Sequence, residues 1–291
     1  MRGGILIVDK PAGWTSNDVV VKLKHQFHEK RIGHSGTLDP MATGVLPVFV
    51  GRATRAVEFA SEGEKEYLAK LELGRTTDTQ DSTGETLSVS PCSVTDTQLE
   101  DVLSQFKGEI LQVPPMYSAL KVQGQRLYDL ARKGQEVERS PRRITIYKIE
   151  VVDREGDMLW DLRVRCSKGT YIRTLCQDIG NALGVGGLMA GLRRTEASGF
   201  RVEQAVPLDD ILNTCQSGNQ ENLLLPVDTL FEKYPALTIE GKEERLCRNG
   251  NAFPCCQNEG LWRVYGASGE FLMLGNCENG TMKTVKSFFA V

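Results

Sequence analysis

The sequence has few of the residues that build metal sites and no apolar run long enough to cross a membrane. It contains only three histidines, and its eight cysteines include no Cys-x-x-Cys pair, so we expect no metal site. The longest uncharged stretch, residues 179–192, is shorter than the ~20 residues of a membrane span. The first residues are too weakly apolar for a signal peptide. We therefore expect a cytoplasmic protein with free thiols and no membrane partner.

The chain also lacks an excess of positive charge. Its formal net charge is −3 over 291 residues, so any nucleic-acid binding needs a local basic surface. The most basic part is residues 113–143, where tyrosines alternate with lysines and arginines. This mixture suits a surface that follows a nucleic-acid backbone, although similar charge runs also occur as plain solvated surface. The length and composition fit a globular chain with either one large domain or a large domain and a small one.

A glycine-rich stretch at residues 33–44 is the best candidate for chemistry. It holds one carboxylate, Asp39, and the following Pro40 disfavours a helical conformation there. An ordinary surface turn uses the same residue types. The apolar run at residues 45–50 weighs against that interpretation, because it predicts a buried strand that anchors the loop to a core. Within this run, Pro47 predicts an edge strand or a bulge.

Three other segments leave alternatives open. Tyr67 begins the apolar face of an alternating strand, for which a core position is the simplest interpretation. The polar segment at residues 76–85 is interpreted as a solvated connection. Tyr171 and Arg173 stand at the entrance of a helix and off its apolar stripe. Because helix entrances favour anions, Arg173 is either exposed or paired with a carboxylate.

Four separated segments resemble, in chain order, the TruB family of tRNA pseudouridine synthases. They are Asp9-Lys10-Pro11, the loop at 33–46, Lys65-x-Tyr67 followed by Gly74-x-x-Thr77-Asp78-Thr79-x-Asp81, and Lys168-Gly169-Thr170-Tyr171-Ile172-Arg173 with the later Leu192-Arg193-Arg194-Thr195. Residues 114–134 also resemble the thumb insertion with which this family grips tRNA. The last part of the chain, with short apolar groups between glycine-containing turns, is compatible with the family's usual PUA-type RNA-binding domain.

This resemblance implies both a fold and an activity. The expected fold class is α/β (α+β), with a large mixed, mainly antiparallel sheet flanked by helices and a small C-terminal β-rich PUA-like domain. The catalytic domain is expected over residues 1–234, with the thumb at about 110–143, and the PUA-like domain over residues 235–291. The implied activity is isomerisation of uridine 55 in the tRNA T loop to pseudouridine, by a monomer without cofactor or metal. An RNA-chaperone activity is a secondary possibility.

The resemblance also implies roles for single residues. Asp39 is the catalytic carboxylate, Tyr67 stacks on the target base, and Arg173 pairs with Asp39. The implied substrate-binding residues are His34, Tyr171, Leu192, Lys10, Lys121 and Arg132. An aspartate either attacks C1' of the sugar or adds to C6 of the base, and the sequence leaves both routes open.

Two other activities suit parts of this pattern. A glycoside hydrolase also uses an aspartate at an anomeric carbon, but it normally needs a second catalytic carboxylate, which the loop around Asp39 lacks. A non-catalytic tRNA-folding factor would need the thumb and the C-terminal domain without depending on Asp39. An Asp39→Asn variant separates this second alternative from the enzyme.

Overall fold

The computed structural model describes residues 3–118, 120–122 and 124–289. The strands are β1 Gly4–Lys10, β2 Ile32–His34, β3 Thr43–Val50, β4 Lys65–Leu73, β5 Arg75–Thr77, β6 Thr86–Val89, β7 Gly108–Gln112, β8 Lys121–Val122, β9 Gln125–Arg126, β10 Arg142–Glu155, β11 Leu159–Cys166, β12 Gly187–Ala197, β13 Phe200–Arg201, β14 Val206–Pro207, β15 Ala236–Thr238, β16 Phe253–Pro254, β17 Gly260–Tyr265, β18 Phe271–Glu278 and β19 Thr281–Ser287. The α-helices are α1 Ser16–Phe27, α2 Val57–Ser61, α3 Asp96–Gln105, α4 Leu127–Ala131, α5 Ile172–Ala182, α6 Leu208–Gln216 and α7 Gly241–Arg248. Short 3-10 helices cover Gly51–Ala56, Val202–Gln204, Gln220–Leu223 and Val227–Phe231. None of the helices within these ranges is both long enough and apolar enough to cross a bilayer.

One large sheet carries most of the chain. Its strands follow the order β14-β1-β3-β12-β4-β11-β10-β7, with β2 beside β3 and β13 beside β12. All pairs are antiparallel except β1 with β14 and β3 with β12. Helices α1 and α6 pack on one face of β1 and β3, and α3 and α5 cover the apolar face of β4, β11 and β12. The expected fold class, a mainly antiparallel sheet flanked by helices with a C-terminal β domain, is confirmed.

Helix α1 shows how local sequence sets this packing. The Thr15 side chain accepts from the Asp18 N–H, and the Asp18 carboxylate accepts from the Thr15 N–H, which together form a capping box. Val19 and Leu23 lie on the buried stripe of the helix and pack against β1 and β3. The helix ends at Phe27. The first strands and the loop between β2 and β3 are therefore backed by a rigid element.

The expectation that Pro47 marks an edge strand or a bulge is wrong. Strand β3 lies inside the sheet and pairs with β1 over residues 44–50, with Pro47 opposite Ile7. On its other side β3 pairs with β12 only at Thr43 and Gly44, and with β2 at residues 48–50. Pro47 falls where the neighbouring strand changes, and its carbonyl accepts from the Ser35 N–H at 3.2 Å. Its missing N–H therefore faces the gap between two partner strands and interrupts neither ladder.

The C-terminal strands form a second, five-stranded sheet in the order β15-β17-β18-β19-β16. This small sheet packs on the larger part of the molecule through the rings of Phe231, Phe271 and Phe288. Polar contacts add to the packing, for example between Lys286 and Glu58 at 2.6 Å. A unit of this size needs such support because it buries little apolar surface alone. A domain boundary at residues 234/235 stays a prediction.

Candidate active site

The loop that carries Asp39 is fastened to the turn after β1. The Gly13 N–H donates to the Pro40 carbonyl at 2.8 Å, and the Lys10 ammonium donates to the same carbonyl at 3.3 Å. The Ala42 N–H donates to the Asp39 carbonyl at 3.0 Å, which closes a tight turn at the acid. Asp39 therefore sits in a turning backbone, as Pro40 predicts, and the loop is held from two sides.

The structure brings Arg173 and Asp39 together, although 134 residues separate them. The Arg173 Nε lies 2.9 Å from Asp39 Oδ2, and Nη2 donates to Oδ1 at 3.3 Å. This two-point contact fixes the carboxylate plane as well as its distance. The Arg173 side chain is 7% exposed, whereas that of Asp39 is 35% exposed. An entering molecule can therefore contact the Asp39 carboxylate, whereas the Arg173 guanidinium is shielded from solvent.

A second carboxylate lies on the same guanidinium. Asp81 Oδ2 is 3.7 Å from Arg173 Nη1, which also donates to the Thr79 carbonyl at 3.1 Å. Asp81 is 5% exposed, and its Oδ1 accepts from the hydroxyls of Thr79 and Thr83 at 2.7 and 2.6 Å. The interpretation of residues 76–85 as a plain solvated connection is therefore wrong at Asp81. The available signal was the family pattern Thr77-Asp78-Thr79-x-Asp81.

The surroundings of Asp39 act on its charge in opposite directions. Burial raises the pKa of Asp39 above its ordinary value, and the Arg173 guanidinium opposes that effect. The Asp81 carboxylate raises the pKa further, and Lys10 lowers it. The net pKa of the Asp39 carboxyl stays above 3.8. The arginine therefore offsets part of the effect of burial without overturning it.

Tyr67 is both a core residue and a neighbour of the loop. It is 6% exposed and packs in one cluster with Leu38, Ile172 and the partly buried Leu192. Burial raises the pKa of Tyr67 to about 12, and the neighbouring Arg194 guanidinium opposes this rise. The phenol is therefore protonated at neutral pH. The two interpretations of Tyr67 are compatible, because the same ring closes the core and lies beside the Asp39 loop.

Arg194 is a buried residue of the site that the sequence reasoning missed. It is 1% exposed and stands directly opposite Tyr67 in the β12–β4 pair. Its Nε donates to the Val45 carbonyl at 2.7 Å, and its Nη2 donates to the Gly36 carbonyl at 3.1 Å. Among the residues that the structure describes, it has no carboxylate partner, and its Nη1 makes no hydrogen bond. The signal was its alternation with Leu192 on one face of the strand.

Lys10 supports the loop from inside the protein. Its ammonium donates to the carbonyls of Pro11 at 2.8 Å, Trp14 at 2.7 Å and Pro40 at 3.3 Å. The residue is fully buried, and burial lowers its pKa to about 8 although the Asp39 charge opposes the shift. All three N–H groups of the ammonium therefore have backbone carbonyls as acceptors. The assignment of Lys10 to substrate binding stays a prediction.

His34 and Tyr171 are the two other ring-bearing residues of the predicted site. The Nδ1 atom of His34 accepts from the Gly36 N–H at 3.3 Å. Burial, followed by the charge of Arg194, lowers the pKa of His34, so its ring is neutral at pH 7. Tyr171 is the N-cap of α5, two residues before Arg173, and burial raises the pKa of its phenol. Both residues are partly exposed, and of the two only Tyr171 is close enough to the Asp39–Arg173 pair for its charges to act on the pKa of the ring.

The predicted thumb leaves the sheet after β7 and returns at β10, with β8, β9 and α4 between them. Arg132 is exposed on this insertion, and its guanidinium lies 5.5 Å from the ring centroid of Tyr128. The side chain of Lys121 lies outside the described residues. Within the described parts of the chain, no group of three or more His, Cys, Asp or Glu side chains is arranged to hold a metal ion.

Two protein-family models match adjoining parts of the chain. Residues 24–172 match the model of the TruB family pseudouridylate synthase N-terminal domain, and residues 173–232 match the tRNA pseudouridylate synthase B C-terminal domain. The chain is 42% identical to tRNA pseudouridine synthase B of Clostridium acetobutylicum over 97% of this chain and 98% of that protein. It is 44% identical to tRNA pseudouridine synthase B of Ralstonia pickettii over 90% and 84%, respectively.

Solved structures resemble the chain over nearly its whole length. An H/ACA RNP bound to a substrate RNA containing 2'-deoxyuridine gives a TM-score of 0.74 at 26% identity, over 99% of this chain and 85% of that one. A Cbf5-Nop10-Gar1 complex gives 0.73 at 28% identity, over 98% and 85%.

Proposed function

We propose a target for this enzyme from the premise that the chain belongs to the TruB family of pseudouridylate synthases. Its activity is the isomerisation of uridine in tRNA to pseudouridine, as in the tRNA pseudouridine synthases B that it matches. The proposed target is uridine 55 in the T loop. The observation that carries the catalytic assignment is the two-point contact between Arg173 and the more exposed Asp39.

Asp39 is the proposed reacting group. The reaction breaks the bond from C1' to N1 of uracil, turns the base, and forms a bond from C1' to C5. C5 then loses its proton and N1, which is no longer bonded to C1', gains one, so no atom is gained or lost. An ionised carboxylate assists this sequence either by attack at C1' or by addition to C6. Arg173 favours the ionised form of Asp39 and fixes its orientation, because the guanidinium contacts both carboxylate oxygens.

Tyr67 and its neighbours form the proposed base pocket. The target base has to leave its stack, which costs a few kcal/mol. Stacking on the Tyr67 ring returns ~1–3 kcal/mol. Tyr171 and Leu192 are proposed to line the pocket, since Leu192 packs against the cluster that holds Tyr67 and Tyr171 directly precedes Ile172 of that cluster. His34 is proposed to enter the RNA loop beside the displaced base, and its neutral ring suits contact with stacked bases.

The thumb and the C-terminal part supply the proposed grip on the T stem-loop. Lys121 and Arg132 contact phosphates in this proposal, so binding weakens as salt rises. The PUA-like domain over residues 235–291 extends the RNA surface. We further propose that the protein acts as a monomer in the cytoplasm, where its tRNA substrate is found. Sedimentation of the free protein tests the monomer.

The test is site-resolved detection of pseudouridine in an unmodified tRNA transcript, by carbodiimide labelling and primer extension. The expected result is one stop, at position 55. Asp39→Asn is expected to lower the rate by about 10³-fold or more and leave tRNA binding within about twofold. Asp101→Asn, on the exposed face of α3, is the matched control. A stop elsewhere contradicts the target, and turnover by Asp39→Asn contradicts the catalytic role. Any tRNA-folding activity that this variant retains is a separable function.

A further inference from the structure

The root of the thumb is tied to the rest of the site by one buried amide. Gln112 is the last residue of β7 and pairs with Arg142, the first residue of β10, so the thumb leaves and returns at this point. Gln112 is 2% exposed. A fully enclosed amide is stable only where both of its ends find hydrogen-bond partners.

Gln112 finds those partners on the backbone of Tyr171. The Tyr171 N–H donates to Gln112 Oε1 at 2.9 Å, and Gln112 Nε2 donates to the Tyr171 carbonyl at 3.1 Å. Tyr171 is the N-cap of α5, and Arg173 follows in the first turn of that helix. The Gln112 amide therefore fixes the backbone of Tyr171, two residues before the arginine of the ion pair.

A second contact joins the same elements. Arg173 Nη2 donates to the Tyr117 carbonyl at 2.8 Å, and Tyr117 lies five residues beyond Gln112 in the thumb. The next residue, Ser118, accepts at its carbonyl from the Tyr128 N–H at 3.1 Å, which joins this segment to α4. The guanidinium that holds Asp39 is thus bordered by the thumb backbone on one side and by the clamped helix entrance on the other.

We propose that Gln112 is a positioning residue that fastens the entrance of α5, and with it the Asp39–Arg173 pair, to the root of the thumb. This inference rests on the proposed function. The hydrogen bonds of Gln112 make the positions of Tyr171 and Arg173 depend on the position of the thumb root. Misplacement by about 1 Å far from the reacting atoms lowers a rate by up to about 10²-fold. RNA binding by the thumb and orientation of the carboxylate are therefore linked through the Gln112 side chain, together with the direct contact of Arg173 to the Tyr117 carbonyl.

The deciding variant is Gln112→Met, which keeps the length of the side chain and loses both hydrogen bonds to Tyr171. The expected single-turnover rate on a T stem-loop RNA falls about tenfold, while the dissociation constant changes less than about twofold. The acid limb of the rate against pH moves to higher pH, because a loosened guanidinium offsets less of the effect of burial on Asp39. Gln112→Glu retains the acceptor for the Tyr171 N–H, so we expect it to recover part of the rate.

Gln105→Met is the matched control, since Gln105 is exposed at the end of α3. The wild-type protein and this control report on the proposed function itself, because both form pseudouridine if it holds. A rate for Gln112→Met equal to that of the control overturns the positioning role. A loss of rate with an unmoved acid limb and no recovery in Gln112→Glu overturns it as well, since those results describe a merely structural defect.

Discussion

Two buried arginines flank the Asp39 loop, and their partners differ in kind. Arg173 contacts two carboxylates, those of Asp39 and Asp81, together with two backbone carbonyls. Arg194 donates to the carbonyls of Val45 and Gly36, and the described residues give it no acid. Burial of a charge is unfavourable in both cases. Of the two arginines, only Arg173 is placed to act on the charge of Asp39, the proposed reacting acid, whereas Arg194 ties the start of the loop to β3 and β12.

The largest effect is expected from Arg173→Met. It removes the cation that opposes the effect of burial, so the pKa of Asp39 rises further. As the pH is lowered, Asp39 is then protonated at a higher pH than in the wild type, so the acid limb of the pH–rate profile moves to higher pH. At neutral pH we expect a rate lower by about 10²-fold, within the range of lost electrostatic catalysis. The measurement is the single-turnover rate between pH 5 and 8.

Arg201→Met is the control for this prediction, since the Arg201 side chain is 72% exposed. We expect its profile to coincide with that of the wild type. An acid limb that stays in place in Arg173→Met would contradict the assignment of Arg173 to the charge of Asp39.

A smaller effect of another kind is expected from Arg194→Met. This variant leaves the carbonyls of Gly36 and Val45 without donors, so the free energy of unfolding falls by ~2–4 kcal/mol. The rate falls only about tenfold, because the loop is less well held, and the acid limb keeps its position. Urea unfolding and the pH profile together check this prediction. Arg194→Lys, which keeps the charge but not the two-carbonyl reach, should lie between the variant and the wild type.

A shift of the acid limb in Arg194→Met would break the distinction between the two arginines. It would show that Arg194 also acts on the ionisation of Asp39, through Lys10 or through the position of the loop.

The arginines also show what the sequence predicts and what it does not. Alternation along β4 and the apolar run at β3 identify strands, and the fold class that the family resemblance implied is confirmed. The turn at Asp39 follows from its own neighbours, because Pro40 and the flanking glycines act locally. The approach of Arg173 to Asp39 spans 134 residues, and only the family resemblance predicted it.

The buried positions of Asp81 and Gln112 were not predicted from the sequence, and the physical reason is the same for both. Asp81 stands in a polar segment that looks solvated, and its burial depends on the distant Arg173 and on the chain around Met189, which pairs with it. In the sequence Gln112 looks like any polar residue at the end of a strand, because its burial depends on the contact with α5. Burial of a polar side chain is a tertiary property, so hydropathy along the chain cannot reveal it.

The smallest effect is expected from Lys10, a third buried cation, which donates to backbone carbonyls as Arg194 does and also lowers the pKa of Asp39 slightly. Its pKa of about 8 predicts that the wild-type rate declines as pH rises through that value. A neutral amine donates fewer hydrogen bonds, so the contact with the Pro40 carbonyl weakens and the Asp39 turn loosens.

The effect of Lys10 on the free energy of unfolding changes with pH in the opposite direction to its effect on the rate. Because the pKa of Lys10 in the folded protein is below the ordinary value for lysine, the unfolded chain holds this proton to higher pH, so the free energy of unfolding rises with pH between the two values. Lys10→Met should therefore lose the alkaline limb and lower the rate at pH 7 by only about threefold. An alkaline limb near pH 8 that persists in this variant would assign it to another group.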